Sequence, residues 1–458
     1  MEEGPVPGLA PRPPAWLLPV LLGLALLLSF LDLQRPFHAD EAGQWSLAVE
    51  GEPHSATRDR FHGPALGLAT RAAYAVLGAD LAEAAPAGLR AVPLAFGLSL
   101  VLIPWVVRLP GAWGNLAAAL AVAAVPVSGR FIQEPLMAAG LAWAAALWVR
   151  AGPAGATAPR LLSGLCAGFA LACKITAALH LGLAALALLV LRGCAPGWRG
   201  FGAFATGAVF AWVSWQSSFL ADLPALGTWW GQFLRAFGVA SGLAEPPLPM
   251  GSPLPWLATG GLVAAALALR LGIVRSERSP WDFLLLAAAL AYLVHLALPY
   301  KTPWLLMAPD AVLLALALPA LLGRARLRLS AAAAVAVGLA AGLLSGPSRH
   351  DYVETRPDVP ILASVLLAAG EDRPALVLVQ GDHAWPLPFY LRDLRVAYGA
   401  VPDAAQADLW LLQAAGPEPP RAQGRRAVPF AMRENELWWA LAREPLAGRI
   451  ETALRTSR

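Results

Sequence analysis

The chain has 458 residues, of which 58% are hydrophobic and only 14% charged. Soluble domains carry about a quarter charged residues, so a soluble globule of this length would lack the polar surface to cover itself. The formal net charge of +4 comes mostly from short arginine clusters between apolar blocks, which points to membrane-flanking bases and away from nucleic acid.

The first apolar block, Trp16–Leu33, is too long for a signal-peptide core and has no small-residue cleavage site after it. It reads as a retained first span. Further blocks run at Leu89–Val107, Leu116–Val127, Pro135–Val149, Leu161–Cys173, Ala177–Leu191 and Phe201–Leu220. Four more follow at Leu254–Leu271, Trp281–Leu298, Trp304–Leu322 and Leu329–Leu344. Apolar stretches of about 17–20 residues cross the roughly 30 Å hydrocarbon layer as helices. Lipid offers no partner for free backbone groups, so isolated strands are excluded. The expected fold is a polytopic α-helical membrane protein of about eleven spans. Ala65–Leu77 reads as a surface-lying helix.

After Leu344 the composition turns soluble. A helical stretch is expected at Ile361–Ala369, strands at Ala375–Gln380, Arg395–Tyr398 and Asp408–Gln413, and a helix near Asn435–Arg443. Strands alternating with helices imply a small C-terminal α/β domain. The expected division is a transmembrane module at 1–346, with an extracytoplasmic loop at 34–88, and a soluble extracytoplasmic domain at 347–458.

A cytoplasmic N-terminus puts Arg108, Arg150, Arg160, Arg192, Arg199, Arg270 and Arg324 in tight cytoplasmic turns, as the positive-inside rule requires. An odd number of spans then leaves the C-terminal domain outside a cytoplasmic (inner) membrane. The opposite face holds Asp40, Glu41, Asp80, Glu134 and Asp222. Cys166, Cys173 and Cys194 lie in or beside apolar spans and read as small packing residues, without disulfide or zinc spacing.

Chemistry concentrates on that outer face. The first loop opens with His38-Ala-Asp40-Glu41 directly after the first span. Carboxylates are costly beside apolar surroundings, and the pair is a candidate general base. Neighbouring helical side chains point about 100° apart, so one of the two faces a substrate while the other holds a cap or a salt bridge. The alternative is an ordinary helix N-terminus, where acids suit the dipole. Later in the loop, His62 in Arg60-Phe-His62-Gly63-Pro64 can orient a carboxylate or bind a sugar hydroxyl. His38, His62 and Asp40 match no compact metal-ligand motif, and the histidines are taken as substrate-binding.

Arg130-Phe-Ile-Gln133-Glu134-Pro135 packs a base, an amide and an acid into one short turn. A helix start with proline at its first position explains Glu134-Pro135 but not Arg130. Lys174 and Lys301 are the chain's two lysines, and both map to outer span ends. They either bind phosphate or snorkel to lipid headgroups. Trp229, Trp230, Phe233 and Phe237 fit an interfacial helix.

Six strings together resemble the GT-C superfamily of glycosyltransferases. They are His38-Ala-Asp40-Glu41, Phe61-His62-Gly63-Pro64, Arg130-Phe-Ile-Gln-Glu134, Cys173-Lys174-Ile-Thr176, Leu298-Pro-Tyr-Lys301-Thr-Pro-Trp304 and Trp385-Pro-Leu-Pro-Phe-Tyr-Leu-Arg392. The nearest likeness is to the family labelled flippase-activity-associated, related to the protein-mannosyltransferase and aminoarabinose-transferase group. The resemblance implies an inverting transferase at the outer membrane surface that uses sugars on polyprenyl phosphate and a lipid-linked, glycan or protein acceptor. Asp40 is the first-choice base and Glu41 the reserve. Lys174, Lys301 and Arg130 would stabilise the leaving phosphate, and Glu134 and His62 would orient acceptor or sugar. No cofactor is expected, with a divalent metal left open. The rival reading is a non-enzymatic transporter or flippase-accessory protein for lipid-linked saccharides. Its signature is mid-span ionisable groups or paired broken helices, whereas the unusual charges here sit at span ends on one face.

Overall fold

The structure is a computed structural model. It describes residues 13–33, 35–51, 53–56, 62–107, 129–152, 156–191, 197–240, 280–298, 312, 355–370, 374, 376–381, 384–399, 407–416, 418–420, 424–433 and 436–456. The expected spans Leu116–Val127, Leu254–Leu271, Leu329–Leu344 and, apart from Val312, Trp304–Leu322 lie outside the described residues, as does Lys301.

In chain order the helices are α1 (Leu17–Leu33), α2 (Ala39–Glu50), α3 (Ala65–Leu77), α4 (Pro86–Ser99), α5 (Ile103–Val107), α6 (Glu134–Ala151) and α7 (Thr157–Cys173). They continue as α8 (Thr176–Val190), α9 (Trp198–Gln216), α10 (Pro224–Ala240), α11 (Pro280–Ala297), α12 (Asp358–Leu367), α13 (Leu387–Tyr390) and α14 (Leu446–Thr456). Contacts divide the chain into two compact units, one of Met1–Leu33 with Glu50–Arg349, the other of Gln34–Val49 with His350–Arg458. The start of the 34–88 loop therefore groups with the C-terminal residues. The sequence had put the whole loop with the membrane module.

In the first unit, Leu21 and Ala25 of α1 pack against Leu94 and Val101, while Val20, Leu24, Leu27 and Phe30 stay exposed. A helix apolar all round belongs in a large core or in lipid. The same holds for α8, which exposes Leu186, Leu189 and Val190. Among the described residues, one helical run, Pro86–Val107 with 22 residues, is long and apolar enough by itself to cross a membrane. Thr157–Cys173 and Thr176–Val190 are shorter apolar helices. A helix of 17 residues rises about 25 Å, a little under the hydrocarbon thickness.

Glycines set the closest packing. A Cβ on Gly164 would fall 2.0 Å from the Phe204 carbonyl oxygen, and one on Gly168 2.1 Å from that of Ala208. From the other side, a Cβ on Gly207 would fall 2.3 Å from the Leu161 oxygen. Gly164 and Gly168 are four residues apart on α7 and face α9, the small-residue spacing that lets two helix backbones touch. At the opposite end of α7, the Arg160 guanidinium stacks 3.7 Å from the Trp148 ring centroid. It also donates to the Gly152 carbonyl at 2.7 Å, a cation at the C-terminal end of α6.

The second unit is built on a five-stranded sheet of order β2-β1-β3-β5-β4. Its strands are β1 (Val377–Gln380), β2 (Val396–Tyr398), β3 (Leu409–Gln413), β4 (Arg426–Arg433) and β5 (Glu436–Ala442). β1 pairs parallel with β2 and β3, and β5 pairs antiparallel with β3 and β4. Val359, Leu362 and Leu366 of α12 join Ala447, Ile450 and Leu454 of α14 in the core that covers this sheet. Pro429 sits in edge strand β4, where a missing N–H costs least.

The helix expected near Asn435–Arg443 is instead strand β5. Trp438 to Ala442 are all buried, because the strand lies between β3 and β4. Burial on both faces erases the alternation that marks a strand, and the remaining apolar run reads equally as helix.

Candidate functional site

In the first unit the sequence-selected polar residues converge on the break between α7 and α8. Lys174 leaves α7 in extended conformation and forms an antiparallel bridge with His62. The Gly63 N–H donates to the Cys173 carbonyl at 2.8 Å. This approach demands glycine, since a Cβ on Gly63 would lie 1.8 Å from the Ala172 carbonyl oxygen. Gln133 ties the same loop to the start of α6, its Nε2 donating to the Gly63 carbonyl at 3.0 Å. Its Oε1 accepts from the Leu66 N–H at 3.2 Å.

The Lys174 ammonium donates to Glu134 Oε1 in an ion pair. Glu134 is 1% exposed and Lys174 7%. Removing either charge from water costs several kcal/mol, which pairing offsets only when both partners are present. His62 also bears electrostatically on the Glu134 carboxylate. Lys174 is thus buried and paired here, so it does not snorkel, and its charge is committed to Glu134. Arg130 lies half-buried in the bend before α6.

His38, Asp40 and Glu41 fall in the second unit, at the N-terminus of α2. The His38 N–H donates to Glu41 Oε2 at 3.1 Å, while His38 Nδ1 accepts from the Asp40 N–H at 3.0 Å. This is the reciprocal arrangement of a capping box, with an imidazole where Ser or Thr usually stands. Glu41 is fully buried. Asp40, one position earlier and about 100° around the helix, is exposed. Of the two adjacent acids, one is built into the helix start and the other presents its carboxylate outward.

Sequence reasoning assigned no role to several residues that matter here. Tyr390 and Thr355 bond the Phe37 backbone. Tyr390 falls in the string Trp385–Arg392, which carried only the resemblance, and nothing in the sequence pointed to Thr355. His180 on α8 and His295 on α11 lie 5.2 Å apart by ring centroids. His180 helps line an apolar cavity of about 170 Å³ with Leu141, Ala145, Trp148, Ala184 and Phe283. The signal was a histidine in an otherwise apolar helix. Among the described residues, no group of three or more His, Cys, Asp or Glu side chains is arranged to hold a metal ion.

No family model and no curated protein matches the sequence. Solved structures do. The chain superposes on apo ArnT from Cupriavidus metallidurans with a TM-score of 0.56 at 15% identity, over 95% of this chain and 98% of that one. An Archaeoglobus fulgidus oligosaccharyltransferase tethered to an acceptor peptide matches with a TM-score of 0.53 at 13% identity, over 86% of this chain and 64% of that one. ArnT bound to undecaprenyl phosphate superposes at 0.42 with 14% identity, over 92% and 97% of the two chains. ArnT and the oligosaccharyltransferase are GT-C glycosyltransferases. At these identities the likeness is one of fold, which this chain shares with those two transferases.

Proposed function

We propose that this protein transfers a sugar from a polyprenyl-phosphate donor to a lipid-linked, glycan or protein acceptor at the extracytoplasmic face of the cytoplasmic membrane. About eleven spans, a cytoplasmic N-terminus and an external C-terminal domain complete the reading. A lipid donor suits that side, where nucleotide sugars are not supplied.

The observation that carries the proposal is the contrast at the start of α2, where Glu41 is buried in the cap and Asp40 is exposed. Among the described residues no side chain bonds or pairs with the exposed Asp40 carboxylate, so it is the group available to take a proton. In the proposed reaction it deprotonates the acceptor hydroxyl as that oxygen bonds to the anomeric carbon. The bond from that carbon to the donor phosphate breaks with inversion, and the phosphate leaves with the electron pair. Arg130 and Lys301 stabilise the leaving charge, a contribution suited to a low-dielectric site. The buried Glu134–Lys174 pair fixes the loop that bears His62. The ArnT of the apo comparison has also been captured with undecaprenyl phosphate, and the proposal takes a lipid phosphate of that class. No cofactor enters the reaction.

The test is transfer in liposomes holding the full chain, with radiolabelled undecaprenyl-phosphate sugars as donors and a membrane extract as acceptor. Wild type is compared with Asp40→Asn, Glu41→Gln and Lys301→Met at matched expression. Transfer that collapses in Asp40→Asn supports the enzyme and its base. No transfer by folded wild-type protein from any donor sinks the reading in favour of a transporter or accessory role.

A further inference from the structure

α2 has 12 residues, too few to be a stable helix by itself in water. Its support comes from residues more than three hundred positions later. The Phe37 N–H donates to the Tyr390 hydroxyl at 2.5 Å. Its carbonyl accepts from Thr355 Oγ1 at 2.8 Å. The Phe37 ring lies against Phe389 with centroids 4.4 Å apart, and Trp45 meets Phe389 edge-on at 5.1 Å. The Arg392 guanidinium covers the other partners, 4.6 Å from the Phe389 centroid and 5.6 Å from that of Trp45.

Phe37 precedes α2 and Trp45 lies in its middle, so the two anchors bracket Asp40. They also fix rotation about the helix axis. Glu41, Ala42, Trp45 and Ala48 are the buried positions of α2, at the spacing of one helical face. With that face held down, Asp40 points outward. A rotation of one residue, about 100°, would exchange the exposed and buried acids.

We propose that Phe389 and Tyr390 are positioning residues, and that the C-terminal unit serves to hold α2 so that Asp40 is presented for proton transfer. The inference rests on the reading of Asp40 as the base. Misplacement of a catalytic group by about 1 Å can cost roughly a hundredfold in rate, so a loosened helix is expected to show first in turnover.

The experiment uses the full chain in liposomes, as wild type, Tyr390→Phe and Phe389→Leu. Hydrogen–deuterium exchange is read on peptides covering residues 36–49 and on strands β1 and β3. Transfer from undecaprenyl-phosphate sugars is measured alongside. The expected result is exchange at 36–49 roughly fivefold faster in each variant, unchanged protection of β1 and β3, and kcat down about tenfold or more with the donor KM held. Unchanged exchange at 36–49 would overturn the proposal, and so would faster exchange with wild-type kcat. Loss of protection in β1 and β3 would show that the residues serve the sheet itself, which also overturns it. A wild-type protein that transfers nothing would sink the reading of Asp40 instead. The exchange result would then still decide whether the C-terminal unit holds α2.

Discussion

Lys174 and Glu134 meet in a buried ion pair that joins the end of α7 to the start of α6. Neither side chain has room to reach water, with Glu134 1% and Lys174 7% exposed. Replacing one partner strands the other charge. Lys174→Met or Glu134→Leu alone is therefore expected to destabilise by about 3–5 kcal/mol. The double variant, which leaves no charge behind, should recover most of that loss. Thermal unfolding in detergent checks it. A double variant as unstable as the sum of the singles would show that the pair is not the unit of stability.

Gln133 ties the start of α6 to the Gly63–Leu66 segment of the same junction, and its neighbours have no slack. Gln133→Leu removes both the donor to Gly63 and the acceptor for Leu66, leaving the buried Leu66 N–H unmet at about 1–3 kcal/mol and the part-buried Gly63 carbonyl without its side-chain donor. Gly63→Ala is expected to be worse. Its Cβ would meet backbone, not a movable side chain, at 1.8 Å. Folded yield after size-exclusion should fall in the order wild type, Gln133→Leu, Gly63→Ala. Wild-type yield of Gly63→Ala would contradict the bridge between His62 and Lys174.

The parts of this junction differ in how far the sequence announced them. Lys174 was visible as a charge out of place, because an ionisable group in an apolar segment is expensive wherever it lies, and Glu134 as the acid of a helix start before Pro135. Their pairing was not visible, since the partners are 40 positions apart and nothing local links them. The bounds of α8 followed from an apolar run broken by Lys174, whereas β5 was misread because burial on both faces removed its period. The cap at α2 was half-legible: Glu41 stands three residues after His38, the spacing of a capping box, but histidine is not the usual first member. That α2 rests on Phe389 and Tyr390 was beyond any local pattern.

The cap gives a test that separates two roles for His38. As a substrate-binding residue it should tolerate no replacement. As the N-cap seen here, with Nδ1 accepting from Asp40, it should tolerate asparagine, whose side-chain oxygen serves the same backbone donors. His38→Asn is expected to keep transfer near wild type. His38→Ala should lose about 0.5–2 kcal/mol of helix stability and much of the turnover. Equal loss in both variants would return His38 to the substrate.

The contact between α7 and α9 predicts a sharp contrast among glycines of the same bundle. Gly168→Ala places a methyl 2.1 Å from the Ala208 carbonyl oxygen and 2.8 Å from the Trp212 nitrogen. Backbone cannot move aside as a side chain can, so the helices must separate along their length and lose the packing that small residues allow. Gly182→Ala on α8 meets nothing within 4 Å and removes the entropic cost of glycine within a helix, worth about 0.5–1 kcal/mol. Unfolding temperature in detergent is therefore expected to fall steeply for Gly168→Ala and to hold or rise slightly for Gly182→Ala. If the two variants unfold alike, close approach of α7 and α9 is not what those glycines provide.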